Sequence, residues 1–250
     1  MTGSARDPSI RAQFTARAPV YDDVSAWVTD PGMLAAIVGA CQAPRTASLL
    51  DVCCGTGAVG GAFRGRVARV TGIDLTLEML RRASVRLDAA AQASAIALPF
   101  ADATFDAVVI RQALHFVFGP ERAVREMFRV LRPGGQLVLC HRIPYGPDAA
   151  WWERVNRAKQ ELACNFFIEN DLRRLIAEAG FERLALTDYF LWESIQAWMD
   201  SPEARAATER VFDLYRSAPD QVVRLRGITI GATEIRDRWR WAIFSAFKPA

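Results

Sequence analysis

Apolar and polar positions change rhythm several times along this chain, and the changes mark its elements. Residues 1–45 read as helical and polar at first, with an amphipathic run from Asp22 to Cys41. Ala47–Cys53 is then a short apolar strand that runs into the glycine-rich turn Cys54-Gly-Thr-Gly-Ala-Val-Gly60, a short helix and a second strand, Val67–Asp74. Leu77–Ala91 has helical spacing, with Leu77, Leu80, Ala83, Ser84 and Leu87 on one face. Phe105–Ile110 reads as a buried strand. Pro120 opens a helix that Arg132-Pro-Gly-Gly135 closes, and Leu137–Cys140 is another strand. Beyond it the pattern predicts helices over Ala149–Cys164 and Glu169–Ala179, a strand over Arg183–Tyr189, mainly helix over Leu191–Arg226, and a last strand over Trp239–Phe247.

Strands alternating with helices through residues 47–141 predict an α/β fold, a parallel sheet with right-handed crossovers and helices on both faces. Ligands of such open sheets lie outside the carboxyl ends of the strands, at the switch point in strand order. Gly55-Thr-Gly-Ala-Val-Gly60 sits there. It fits the dinucleotide fingerprint, and Asp74 ends the next strand where a ribose-binding acid is expected. Asp51, four residues before the first glycine, does not suit a pyrophosphate; a carboxylate in that place favours a cationic ligand.

Composition narrows the chemistry. At 250 residues, 51% hydrophobic and a formal charge of +3, the chain has enough apolar residues for a sizeable core and too little net charge to announce a nucleic-acid or membrane partner. His115 and His141 are the only histidines, and Lys159 and Lys248 the only lysines. A three-histidine metal site is therefore excluded. The five cysteines (Cys41, Cys53, Cys54, Cys140 and Cys164) form neither a secreted disulfide framework nor a C-x-x-C pair, so no metal site is expected. No run approaches the length of apolar residues that a spanning helix needs, and a soluble, cytoplasmic protein without stable membrane insertion is expected.

Several motifs in order carry a resemblance. Leu49-Leu-Asp-Val-Cys-Cys-Gly-Thr-Gly57 resembles the first motif of class I S-adenosylmethionine-dependent methyltransferases. Gly72-Ile-Asp74 with Glu78-Met-Leu80 resembles the second. Leu98-Pro-Phe-Ala-Asp-Ala-Thr-Phe-Asp106 and Arg129-Val-Leu-Arg-Pro-Gly-Gly135 are similar to hallmarks of the ubiquinone/menaquinone-biosynthesis-like branch, and Phe14 with Ala18-Pro-Val-Tyr-Asp22 to its N-terminal lid. The resemblance implies a Rossmann-like seven-stranded sheet, mostly parallel with the last strand antiparallel, and a small helical cap. One domain would span 1–250: a lid (1–45), a cofactor-binding core (46–144), cap insertions (145–168 and 191–237) and C-terminal core elements (169–190 and 238–250).

It also implies the cofactor, S-adenosylmethionine, and its product S-adenosylhomocysteine. Asp51 and the backbone of Gly55 and Gly57 would hold the methionine portion, and Cys53 would line it. Asp74 would take the ribose hydroxyls, Leu75 and Met79 would flank the adenine, Arg111 and Gln112 would border the methionine end, and Tyr21 would close the lid. Ser94-Ala95 stands where the branch has an Asp-Ala pair, so the adenine amine would meet a hydroxyl in place of a carboxylate, without charge assistance. Methyl transfer needs a base only where the nucleophile must lose a proton. His115 and His141, each just past a strand end on the ligand side, are the candidates.

Trp151, Trp152, Phe166, Phe167, Tyr189, Phe190, Trp192 and Trp198 fall in cap segments and suggest an apolar or aromatic small-molecule substrate. Trp192, Ile195 and Trp198 at helical spacing leave monomer and homodimer both open. Nucleic-acid methylation is disfavoured: Arg111-Gln-Ala-Leu-His115 replaces the Pro-Pro motif of amino-methylating DNA enzymes, and no Pro-Cys nucleophile occurs. The alternative on the same fold is an S-adenosylmethionine-binding protein that acts as a cyclase or decarboxylase, or is non-catalytic.

Overall fold

Alternation of side chains along the strands sorts the core into two layers. In the computed structural model, which describes residues 7–23, 26–159, 162–201 and 204–250, Leu49 of β1 (Ser48–Val52) faces one hydrophobic cluster, and Leu50 and Val52 face the other. Val70 of β2 (Arg69–Asp74), Val109 of β4 (Phe105–Arg111) and Val138 of β5 (Leu131–Ile143) join the first layer. Ile73, Val108, Ile110, Leu137 and Leu139 join the second. The second layer is covered by α5 (Pro120–Val130) and α7 (Glu169–Glu178), through Ala123, Val124, Met127, Leu172 and Ile176. The first is covered by α2 (Pro31–Ala40), α3 (Ala58–Ala62) and α4 (Leu77–Ala83). Helices therefore lie on both faces, as the pattern predicts.

With β3 (Ala89–Gln92), β6 (Glu182–Ser194) and β8 (Ile235–Phe247), the strand order is β3-β2-β1-β4-β5-β8-β6. The first five run parallel, and β8 inserts antiparallel to both β5 and β6. A two-residue strand, β7 (Thr229–Ile230), pairs with β8 and brings the count to eight. The mostly parallel sheet with an antiparallel last strand is thus present, and the seven-stranded expectation lacks only this short addition.

Element bounds differ from the sequence reading where local pairing overrides periodicity. The helix expected over Leu77–Ala91 stops at Ala83, and Ala89–Gln92 pairs with β2 as a strand. Asp88 forces the change: its carboxylate accepts the Val70 N–H at 2.8 Å, and its own N–H reaches the Val70 carbonyl at 3.0 Å. Leu77 and Ser84, expected on the buried face, are exposed. In the first 45 residues the described helices are α1 (Asp7–Arg17) and α2, with short 3-10 turns between; residues 1–6, 24 and 25 of the expected helical lid lie outside the described residues. Helix α2 starts at Pro31, with Asp30 accepting the Met33 N–H at 2.7 Å.

Beyond the core, α6 (Ala149–Lys159) ends before Cys164. The stretch expected as helix from Leu191 begins as strand through Ser194, followed by α8 (Ile195–Met199), α9 (Thr208–Arg216) and α10 (Asp220–Arg226). Trp192 therefore sits on a strand and is exposed, so it shares no helical face with Ile195 and Trp198.

Candidate functional site

The glycine turn folds as it does because three successive demands fall on it. Cys53 and Gly55 have φ of 56° and 54°, and Gly57 has φ of 80° where it caps α3. A Cβ on Gly57 would come within 3.1 Å of the Ala83 backbone, so only glycine lets α4 pack this close. The turn then hands its N–H groups to two carboxylates. Gly60 donates to Asp51 at 2.8 Å and Gly55 to Asp74 at 2.9 Å, while Thr76 donates to the other Asp74 oxygen at 2.9 Å. Burial pushes the Asp51 carboxyl up to about 7, and burial also raises that of Asp74.

A cavity of about 830 Å³ opens past the carboxyl ends of β1 to β4, where the strand-end rule places a ligand. Cys53, Gly55, Asp74, Leu75, Met79, Ser94, Ala95, Arg111, Gln112 and Tyr21, all expected from the sequence, line it. Asp51 lines an adjoining recess that shares Tyr21, Cys53, Gly55 and Arg111 with it. Gly57 lines neither; its part is the packing of α3 on α4.

The N-terminal segment closes over this cavity. Ile10 and Phe14, one turn apart on α1, and Phe116 complete its wall; the sequence reading passed over Ile10 and Phe116, although the i, i+4 pair and the apolar run after His115 were the signals. Phe14 meets Phe116 edge-on at 5.2 Å, and Tyr21 meets Trp27 edge-on at 6.2 Å. Arg111 clamps the segment from the tip of β4, donating to the Trp27 carbonyl at 3.0 Å and the Val28 carbonyl at 2.8 Å. Asp22 ties it to the glycine turn through Thr56 Oγ1 at 2.6 Å and Arg86 at 2.7 Å.

Adjoining it lies a narrow inner cavity that shares Phe14, Tyr21, Gln112 and Phe116 with the first. His115, Arg142, Trp27, Trp198 and Trp241 supply further walls. His115 and His141 meet edge to face with ring centroids 5.4 Å apart. His141 is buried outside both linings, its Nδ1 2.9 Å from the Arg142 carbonyl, and burial pushes its pKa down to about 4. Of the cap aromatics expected around the substrate, only Trp198 reaches this cavity. Trp151 and Trp152 are core, Trp152 stacking on Trp198 at 6.2 Å, while Phe190 and Trp192 face outward. Trp27 and Trp241, 5.2 Å apart, are wall residues the sequence reading missed, as are Arg17, Phe116 and Arg142. Cys140 and Cys54 are buried thiols, pushed up by burial. No metal-binding cluster occurs among the described residues, nor is any described helix long and apolar enough to cross a membrane.

Residues 50–139 match the family profile described as a methyltransferase domain. The ubiquinone/menaquinone biosynthesis C-methyltransferase of Roseobacter denitrificans is 44% identical over 209 residues, covering 79% of this chain and 76% of that protein. The chain belongs to this branch of the class I S-adenosylmethionine-dependent methyltransferases. The 2-phytyl-1,4-naphtoquinone methyltransferase of Thermosynechococcus vestitus is 34% identical over 205 residues, covering 78% of this methyltransferase and 85% of the relative. The crystal structure of the YcgJ protein of Bacillus subtilis superposes with a TM-score of 0.77 at 20% identity, over 87% of this chain and 98% of that one, and shows the shared fold. The methyltransferase uses S-adenosylmethionine, and the site fits it: Asp74 lines the cavity with its carboxylate fixed by the Gly55 and Thr76 N–H groups, and the buried Asp51 carboxylate lines the adjoining recess beside the glycine turn.

Proposed function

We propose that this methyltransferase methylates a compact aromatic acceptor, of the ring chemistry that its relatives' names denote, seated in the inner cavity. The observation that carries the reading is the shared wall: a cavity lined by aromatic rings abuts the cofactor cavity through Phe14, Tyr21, Gln112 and Phe116.

Asp51 would take the methionine ammonium and Asp74 the ribose hydroxyls. Leu75 and Met79 would flank the adenine, with Ser94 and Ala95 at its edge. When bound, S-adenosylmethionine supplies a methyl group on a sulfonium, open to in-line attack. The protein's own work is then alignment and the exclusion of water by the Phe14–Tyr21–Trp27 lid, with alignment worth roughly 7–11 kcal/mol. His115 lines the inner cavity and takes the proton that the acceptor's attacking oxygen or carbon gives up, while His141 positions its ring from behind.

Incubation of the protein with S-adenosylmethionine and a set of quinols, naphthoquinols and hydroxybenzoates tests the reading, with S-adenosylhomocysteine and the methylated acceptor read by mass. Acceptor-dependent release of both is expected. Cofactor binding without release for any of the three classes would overturn it and return the cyclase or decarboxylase alternative.

A further inference from the structure

Arg142 is a buried charge on the inner cavity without an ion-pair partner among the described residues. It is 6% exposed at the end of β5, and among the described residues its side chain makes one hydrogen bond, Nη2 to the neutral Asn156 Oδ1 at 2.8 Å. Among the described residues no carboxylate pairs with it. Three indoles surround the guanidinium instead, Trp239 at 4.0 Å, Trp152 at 4.7 Å and Trp198 at 4.9 Å. Burial lowers its pKa to about 9, which leaves it cationic at neutral pH.

Neither carboxylate nearby forms an ion pair with it. Asp237 accepts from Arg226, Tyr215 and Trp239; Glu193 accepts the Ala26 N–H at 3.3 Å through one oxygen, leaves the other buried without a hydrogen bond among the described residues, and lies beyond ion-pair distance of Arg142, while burial pushes it up to about 7. The cavity lining itself holds Arg142, Arg17 and His115 and contains no Asp or Glu. It also holds Trp241, wholly buried, whose indole N–H has no hydrogen-bond partner among the described residues. Ring faces offset part of the cost of burying a cation, but a buried charge and an orphan donor on one small cavity call for an acceptor-rich anion.

We infer that the methyl acceptor carries a carboxylate on its compact aromatic body, and that Arg142, with the Trp241 indole N–H, receives it. This rests on the inner cavity being the acceptor site. Arg142 is then a specificity-determining residue that selects acids over neutral rings of equal shape.

The test uses 2-naphthoate against 2-naphthamide, which share a ring system and differ in charge. Affinities are measured by calorimetry with and without saturating S-adenosylhomocysteine. The wild-type protein should bind naphthoate at least tenfold more tightly than naphthamide. Arg142→Gln should abolish the preference and Arg142→Lys should keep most of it, each retaining its affinity for S-adenosylhomocysteine. Equal wild-type affinities, or a preference that survives Arg142→Gln, would overturn the inference. The wild-type comparison stands even if the glutamine variant fails to fold. Failure to bind S-adenosylhomocysteine would instead strike the methyltransferase reading, and the naphthoate comparison without product would still decide this one.

Discussion

Asp51, next to the last residue of β1, stands in a place that works against its charge. Its pKa of about 7 in the free protein lies well above 3.8, so between those values the native state holds a proton that the unfolded chain releases. Stability from this group is therefore full below about pH 4 and falls as pH rises through 7, by on the order of 4 kcal/mol. A cationic ligand reverses the preference, because it binds the ionised form. Cofactor affinity should drop up to tenfold per pH unit below 7. Asp51→Asn should remove that dependence and weaken binding at pH 8 by roughly ten- to a hundredfold, the loss of one charge-assisted contact; calorimetry across pH reads both. The two histidines separate in the same way. His115→Ala should lower kcat by roughly 10²-fold or more with cofactor affinity unchanged. His141→Ala should cost about 1–3 kcal/mol of stability by emptying a packed site, and less than tenfold in kcat. Steady-state kinetics beside urea unfolding distinguish them, and equal kcat losses would remove His115 from its role.

Among the elements, those with a covalent reason to be where they are could be read in advance. The glycine turn is one: positive φ at Gly55 and Gly57, and the 3.1 Å approach of Ala83 to any Gly57 Cβ, are demands that sequence records as glycine. Gly57→Ala should destabilise the protein by about 1–3 kcal/mol, seen as a lower urea midpoint, through backbone strain and the separation of α3 from α4. Much of the lining of the larger cavity was legible for the same reason, since many of its residues follow directly on strand ends. Strand β3 was not, because Ala89-Ala-Ala carries no strand preference and only the bonds from Asp88 to Val70 decide it. The inner cavity was hidden differently. Trp27, Arg142 and Trp241 come from three distant segments, and nothing in their local spacing distinguishes a cavity wall from core. Trp151 and Trp152 show the converse, reading like pocket residues while an edge contact with Tyr215 and a stack on Trp198 bury them.

Across the whole molecule, a buried charge cluster ties α10 to β8. Arg226 of α10 bonds Asp148 at 2.6 Å and Asp237 of β8 at 2.7 Å, and all three are out of water. Tyr215 and Trp239 donate to Asp237 as well, each at 2.9 Å. Asp237→Ala leaves the Arg226 charge short of a partner and should cost about 3–5 kcal/mol in denaturant unfolding, with exchange protection lost first across α9 and α10. Strand β8 has a further effect through its position. It is the last strand in the chain, yet it lies inside the sheet, bonded to β5 along one side and β6 along the other. During synthesis β5 and β6 therefore emerge with bare edges and wait for residues 235–247 to leave the ribosome. A nascent chain halted before Ile235 presents two long unpaired edges at once, the situation in which sticking to a neighbour competes with folding. Completion of the sheet, and the wall that Trp241 gives the inner cavity, thus become late events set by the pace of translation.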